Sequence, residues 1–253
     1  MASDPRTLSI LGATGSIGVN TLDVVRHMGG RDAFEIVALT GLANVHLLAK
    51  QAIEHGVQIA VTADESQYSA LKEALSGTGI NAAAGRQALI DAAAIPADIT
   101  MAAIVGTAGL EPTLAAVKNG GMIALANKEC LVAGGELFMD AVKAAGATLL
   151  PVDSEHNAIF QVLDGEDRSS LERVVLTASG GPFRTWPLEK MANVTVAAAR
   201  AHPNWSMGLK ISIDSASMFN KALEMIEAKH LFALRPEQVE VIVHPQSIVH
   251  SMV

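Results

Sequence analysis

Residues 8–22 read LSILGATGSIGVNTL. An apolar run from Leu8 to Leu11 leads into three spaced glycines, Gly12, Gly15 and Gly18, and then into a stretch with helical spacing. Strand, glycine turn and helix in that order form the entry unit of a dinucleotide-binding α/β sheet. Glycine permits the tight turn and the close approach of a pyrophosphate, and the helix N-terminus turns its N–H groups and dipole toward the charge. The spacing G-x-x-G-x-x-G departs from G-x-G-x-x-G, so the strand–turn–helix setting carries the inference. A purely structural glycine turn is the alternative.

Working outward, apolar runs recur: FEIVALT from Phe34, QIAVT from Gln58, ITMAAIV from Ile99, MIALA from Met122 and ATLLPV from Ala147. Helical stretches such as IGVNTLDVVRHM and LLAKQAIEHG lie between most of them. The alternation predicts a Rossmann-like, doubly wound parallel sheet with right-handed crossovers over residues 1–150. The texture then changes, which predicts a second, α+β domain over residues 151–253. There LERVVLTASGGPFRTWP reads as a strand ending in a Gly/Pro loop. ANVTVAAARAHPNWSMGLKISIDS has few regular signals, and part of it reads as a mobile loop. SASMFNKALEMIEAKHLF reads as one amphipathic helix capped by Asp214 or Ser215, and VEVIVHPQSIVHSMV as strand, turn and strand start. Ending in an apolar strand start, without a cap or polar tail, is the pattern expected of a shortened chain.

The 253 residues suffice for a sizeable core. A net charge of −8 argues against nucleic acid as a partner, though not against a small anion met by local cations. No apolar run reaches the roughly 18 residues of a membrane span, and no secretory signal is evident. Cys130 is the single cysteine, which fits a reducing cytoplasm.

Four further stretches carry chemistry. In VDSEHNAIFQ (152–161), Asp153 and Glu155 follow an apolar strand. On an extended backbone residues i and i+2 share a face, so two like charges would aim at one point, a costly arrangement unless a hard divalent cation joins them. Surface acids on a solvated loop are the bland alternative. A third acid, Glu224, lies on the next helix, where Ser217, Asn220, Lys221 and Glu224 form a polar stripe opposite Met218, Ala222, Met225 and Ile226. An ordinary solvated helix face is usually the better explanation of such a stripe. In LANKECLVAGG, Asn127, Lys128 and Glu129 stand at a strand end, where α/β sheets bind ligands; Glu129 also suits a plain helix N-terminus. Cys130 raises the rival of a thiol nucleophile, as in semialdehyde dehydrogenases, against simple packing. Ser179 before Gly180 and Gly181 suits a phosphate, and Trp205, near His202, could close over a substrate. The second strand ends in ALTGLAN without the acid of an NAD site, which favours NADP, yet no Arg or Lys stands there; Thr40, Asn44 and His46 are the polar candidates.

The ordered set GATGSIG, ANKE, VDSEHNA, SGGPF, HPNWSMG, KISIDSASMFNKALEMIEA and VHPQSIVHSMV resembles the 1-deoxy-D-xylulose 5-phosphate reductoisomerase family across essentially the whole chain. The resemblance implies an NADP-dependent oxidoreductase that isomerises and reduces 1-deoxy-D-xylulose 5-phosphate to 2-C-methyl-D-erythritol 4-phosphate in non-mevalonate isoprenoid biosynthesis. It implies NADPH contacts at Thr14, Gly15, Ser16, Ile17, Gly41, Asn44, Asn127, Glu129 and Gly208. Asp153, Glu155 and Glu224 would hold Mg²⁺ or Mn²⁺, with Co²⁺ a further option, and with Lys128 would be the catalytic groups. Lys128, Ser154 and Glu155 would bind the ketol end of the substrate, and Ser179, His202, Ser215, Asn220 and Lys221 mostly its phosphate side. Trp205 and Met207 would belong to a lid. A cytoplasmic homodimer without nucleic-acid or membrane partners follows. Two departures stand out: Leu42 and Ala43 replace the Gly-Lys before Asn44, and family chains continue past Val253 into a small helical domain. A catalytically incomplete NADP-binding fragment is therefore a second rival, beside the Cys130 dehydrogenase.

Overall fold

The computed structural model describes residues 4–201 and 208–253, which form two compact units, Met1–Leu150 and Pro151–Val253. In the first unit, strands and helices alternate: β1 (Arg6–Leu11), α1 (Ser16–His27), β2 (Phe34–Gly41), α2 (Val45–His55), β3 (Ile59–Thr62), α3 (Tyr68–Ala74), β4 (Asn81–Ala84), α4 (Gly85–Ala93), β5 (Ile99–Ala102), α5 (Leu110–Val117), β6 (Met122–Leu125), α6 (Glu129–Ala145) and β7 (Thr148–Pro151). The seven-stranded sheet has the order β4-β3-β2-β1-β5-β6-β7, and every neighbouring pair from β4 to β6 is parallel. After β4 the chain crosses to the far side of β1, so β1 and β5 flank the switch point where such sheets bind ligands. The architecture is the Rossmann-like sheet expected from residues 8–22. Strand β4 was not among the expected strands. Its NAAA is short and lacks β-branched residues, and it survives as an edge strand through its pairing with β3.

Side-chain alternation, shifted by one residue where Leu8 pairs with Ile36 but Ser9 with Ala38, explains the layering. Ile36 and Leu39 of β2 join Leu8 and Ile10 of β1 under Leu22 and Val25 of α1 and Leu48 of α2. Val37 of β2 and Val61 of β3 face the other way, against Leu89 and Ala92 of α4. Burying each such Leu, Ile or Val contributes about 1.5–3 kcal/mol, which makes both faces of the sheet energetically committed.

The second unit contains α7 (Ser154–Val162), β8 (Val174–Ala178), α8 (Leu188–Met191), α9 (Val196–Arg200), α10 (Leu209–Ala216), α11 (Phe219–Phe232), β9 (Val239–Val243) and β10 (Ser251–Met252). β8 is central, antiparallel to β10 and parallel to β9. Ile159 of α7, Leu163 at its C-cap, and Ala228 and Phe232 of α11 share one core with Val174, Leu176 and Val239 of the sheet. Two expectations are corrected. Residues 209–216, which had little regular signal, form α10. Asp214 and Ser215 do not cap the following helix: they lie in α10, where the Asp214 carboxylate pairs with Lys210 at 2.7 Å. The residue before α11 is Met218, whose φ of 61° is left-handed.

Candidate active site

In the first unit, the expected cofactor residues follow the carboxyl ends of three parallel strands. Thr14, Gly15, Ser16 and Ile17 form the turn after β1 and the start of α1, with Gly15, Ser16 and Ile17 exposed. The turn is fixed from beneath. Gly12 N donates to Thr40 Oγ1 at 3.0 Å, Ala13 N to the Thr40 carbonyl at 2.7 Å, and buried Gln51 Nε2 to the Ala13 carbonyl at 3.0 Å. Within α1, a Cβ on Gly18 would collide with the Gly12 carbonyl and the Ala13 backbone, so glycine is what lets helix and turn close together. Gly41 ends β2. Asn44 caps α2, its Oδ1 accepting from Leu47 N at 3.2 Å.

After β6, Asn127 is buried and committed internally. Its Nδ2 donates to the Ile104 and Gly106 carbonyls, and its Oδ1 accepts from Cys130 N at 2.7 Å. It thus shapes the loop after β5 and starts α6, while Lys128 and Glu129 beside it are half-buried. The Cys130 thiol is fully buried in this packing, closed to any electrophile, which removes the ground for the dehydrogenase rival.

In the second unit, a cleft of about 250 Å³ is lined by Asp153, Ser154, Glu155, Ser179, Ser215, Asn220, Lys221 and Glu224, all expected there. Ligand oxygens of Asp153, Glu155 and Glu224 lie within 4.8 Å of one another. The reason differs from the strand argument. β7 ends at Pro151; Asp153 is the N-cap of α7, accepting Glu155 N at 3.1 Å, and Glu155 is in the first helical turn. A cap and its N2 residue, not alternate positions of a strand, bring the two carboxylates together.

α11 supplies the third. Glu224 is 1% and Lys221 7% exposed, so the polar stripe is no solvated face. The Glu224 carboxylate accepts from Asn220 Nδ2 and from the Lys221 ammonium. Ser217 falls outside the stripe, at the exposed end of α10, and Met218 precedes α11 and lines the cleft rather than joining its apolar face. Behind the acids, His156 is fully buried. Its Nε2 donates to the Glu224 carbonyl at 2.9 Å, and its Nδ1 lies 3.8 Å from Asp153 and 3.7 Å from Glu227. Such partners orient metal-binding carboxylates.

Burial first, and the Asp153 charge second, push the Glu155 carboxyl above its ordinary value; Lys221 opposes this and Glu224 adds to it. Three acids gathered with one ammonium leave an excess of negative charge, which a hard divalent cation with oxygen ligands relieves.

On the opposite wall, β8 is followed by Ser179, whose Oγ accepts from Gly181 N at 3.2 Å. Gly181 has φ +69° and packs so that a Cβ would stand 2.6 Å from the Ser215 carbonyl, so it admits no side chain and draws β8 and α10 together. Gly208 is the exposed N-cap of α10. His202, Trp205 and Met207 lie outside the described residues. The sequence reading missed Thr177, Ile211, Met218, Ser247 and His250 as lining residues. His250 Nδ1 stands 3.4 Å from Glu155 Oε1, and Ser251 Oγ donates to the Glu155 carbonyl at 2.8 Å. Both lie in VHPQSIVHSMV, which the sequence reading took as strand, turn and strand start.

The family model described as 1-deoxy-D-xylulose 5-phosphate reductoisomerase matches residues 8–135, and that of the C-terminal domain of the same enzyme matches residues 149–232. Proteins of that name from Rhizobium rhizogenes and Rhizobium meliloti are each 69% identical to this chain over 248 residues, 98% of it. The chain spans 62% and 63% of their respective lengths. The Zymomonas mobilis reductoisomerase, solved in complex with NADPH, superposes with a TM-score of 0.91 at 54% identity, over 98% of this chain and 64% of its own. A DOX-P reductoisomerase solved with NADPH, fosmidomycin and magnesium gives 0.91 at 44% identity, over 97% and 63%.

Proposed function

Because the chain belongs to the 1-deoxy-D-xylulose 5-phosphate reductoisomerase family, we propose that it carries the cofactor and metal machinery for the NADPH- and Mg²⁺-dependent conversion of 1-deoxy-D-xylulose 5-phosphate to 2-C-methyl-D-erythritol 4-phosphate. The observation that carries this reading is the convergence of Asp153, Glu155 and Glu224 in one cleft with Ser179, Ser215, Asn220 and Lys221. When bound, the divalent ion supplies Lewis-acid polarisation of the substrate's carbonyl and hydroxyl oxygens, and NADPH supplies a hydride. The chain's own groups hold and orient. Asp153, Glu155 and Glu224 are the ion's ligands, fitted to it by their excess charge. Lys221 and Asn220, with the Ser179 and Ser215 hydroxyls, take the phosphate. Ser154 and Lys128 bind the ketol end, where the carbon skeleton rearranges by the retro-aldol and aldol path that the resemblance implies. The turn Thr14–Ile17, with Gly41, Asn44, Glu129 and Gly208, is assigned to NADPH, the exposed turn N–H groups facing its pyrophosphate, and Asn127 serves the same site indirectly by holding the loop after β5.

Mn²⁺ or Co²⁺ as an alternative ion, a lid at Trp205 and Met207, His202 as a substrate contact, homodimerisation and a cytoplasmic setting belong to the same proposal. No helix among the described residues is long and apolar enough to cross a membrane. The test is NADPH consumption by this 253-residue chain with 1-deoxy-D-xylulose 5-phosphate, with and without Mg²⁺. Metal-dependent consumption supports the reading. NADPH and fosmidomycin binding without turnover would instead favour the incomplete fragment.

A further inference from the structure

Among the described residues, three that are not glycine have a left-handed φ: Met218 (61°), Ala233 (53°) and Ser247 (51°). Ala233 ends α11, where helices commonly turn left-handed. The other two both line the metal-site cleft. A Cβ-bearing residue costs conformational energy there that glycine does not, and such strain persists at functional sites when the surroundings hold it. The chain uses glycine freely at other left-handed positions, so the methionine side chain itself needs a reason.

Its position offers one. Met218 N donates to the Ser215 carbonyl at 3.1 Å, and the Met218 carbonyl accepts from Lys221 N at 3.1 Å. With Ser217 it links α10, which presents Ser215, to α11, which presents Asn220, Lys221 and Glu224. It lines a cleft whose other apolar lining residues, among the described residues, are Ala178 and Ile211. On the reading of this cleft as the substrate site, we propose that Met218 is a positioning residue. Its left-handed backbone sets Ser215 against Asn220 and Lys221, and its side chain is the apolar wall that keeps water from these phosphate-binding groups, where charge-assisted hydrogen bonds gain strength as water is excluded.

The test compares M218A, M218L and M218G with the wild-type chain. Three readouts serve: calorimetric binding of fosmidomycin in the presence of Mg²⁺, the melting shift caused by Mg²⁺ alone, and the melting temperature. M218A loses about tenfold in fosmidomycin affinity, the scale of one lost apolar side chain, while its Mg²⁺ shift is unchanged. M218L restores binding to within about twofold because a volume-conserving apolar swap is tolerated. M218G binds as weakly as M218A but melts at the same or a higher temperature, since the left-handed strain is relieved. Wild-type affinity in M218A, failure of M218L to restore it, or loss of the Mg²⁺ shift in M218A would overturn the proposal. A wild-type chain that binds Mg²⁺ but not fosmidomycin would overturn the functional reading, and this proposal with it.

Discussion

Glu224→Gln tests the metal centre without requiring turnover. The substitution keeps the shape of a side chain that is 1% exposed and removes its charge. In the metal-free chain two effects oppose. The carboxylate accepts from Asn220 and Lys221, whereas an amide offers one oxygen, so one donor loses its acceptor at a cost of about 1–3 kcal/mol. Against this, Glu155 is relieved of a like charge. A net loss of about 1–2 kcal/mol, near 2–8 °C for a chain of this size, is expected. The metal-dependent effect is larger. At a Mg²⁺ concentration about 100 times the dissociation constant, binding stabilises the wild type by about 2.7 kcal/mol, or roughly 5–11 °C in melting temperature. E224Q, with two ligand carboxylates left, loses most of that shift. Thermal melts of both proteins across a Mg²⁺ titration, without nucleotide, decide it. An E224Q variant that keeps the full wild-type shift at the same Mg²⁺ concentrations would exclude Glu224 as a ligand and refute the reasoning from convergence.

The raised Glu155 carboxyl sets a pH dependence. Between its ordinary and raised values the folded chain holds a proton that the unfolded chain has released, so metal-free stability falls as pH rises through that window, and the Mg²⁺-induced shift grows as the ion displaces the proton. Metal-free melts against pH check the sign, and a slope unchanged in Glu155→Gln would contradict the assignment. Gly18→Ala would stabilise an ordinary helix interior, but here the added Cβ meets the Gly12 carbonyl and the Ala13 backbone. NADPH affinity should fall at least about tenfold by fluorescence titration, with the Mg²⁺ shift intact. Asn127→Ala strips donors from the Ile104 and Gly106 carbonyls and the cap from Cys130 N, and should cost about 2–3 kcal/mol in melts without NADPH. Unchanged stability with weakened NADPH binding would make Asn127 a direct cofactor ligand instead.

The two units were legible in the sequence to different depths, for a physical reason. In the first, backbone periodicity and function coincide. A buried parallel strand must be an apolar run and the turn after β1 must be glycine-rich, so residues 8–22 announce both the sheet and the edge proposed for the cofactor at once. The only strand missed there, β4, lies at the edge, where pairing with β3 supplies what its alanines do not. In the second unit the site is assembled from caps and turns, and these carry little periodic signal. Asp153 and Glu155 were recognised as a pair through the wrong geometry, since a helix N-cap and a strand both set i and i+2 side by side. Met218 was taken for the apolar face of a helix because its spacing from Ala222 and Met225 is helical; its backbone, at φ 61°, is not. A left-handed non-glycine residue leaves no mark in composition or period, because what holds it lies in the packing around it. Strained and capping residues are therefore where a chain of this kind conceals its chemistry, and Met218 is the position at which that argument is most open to test.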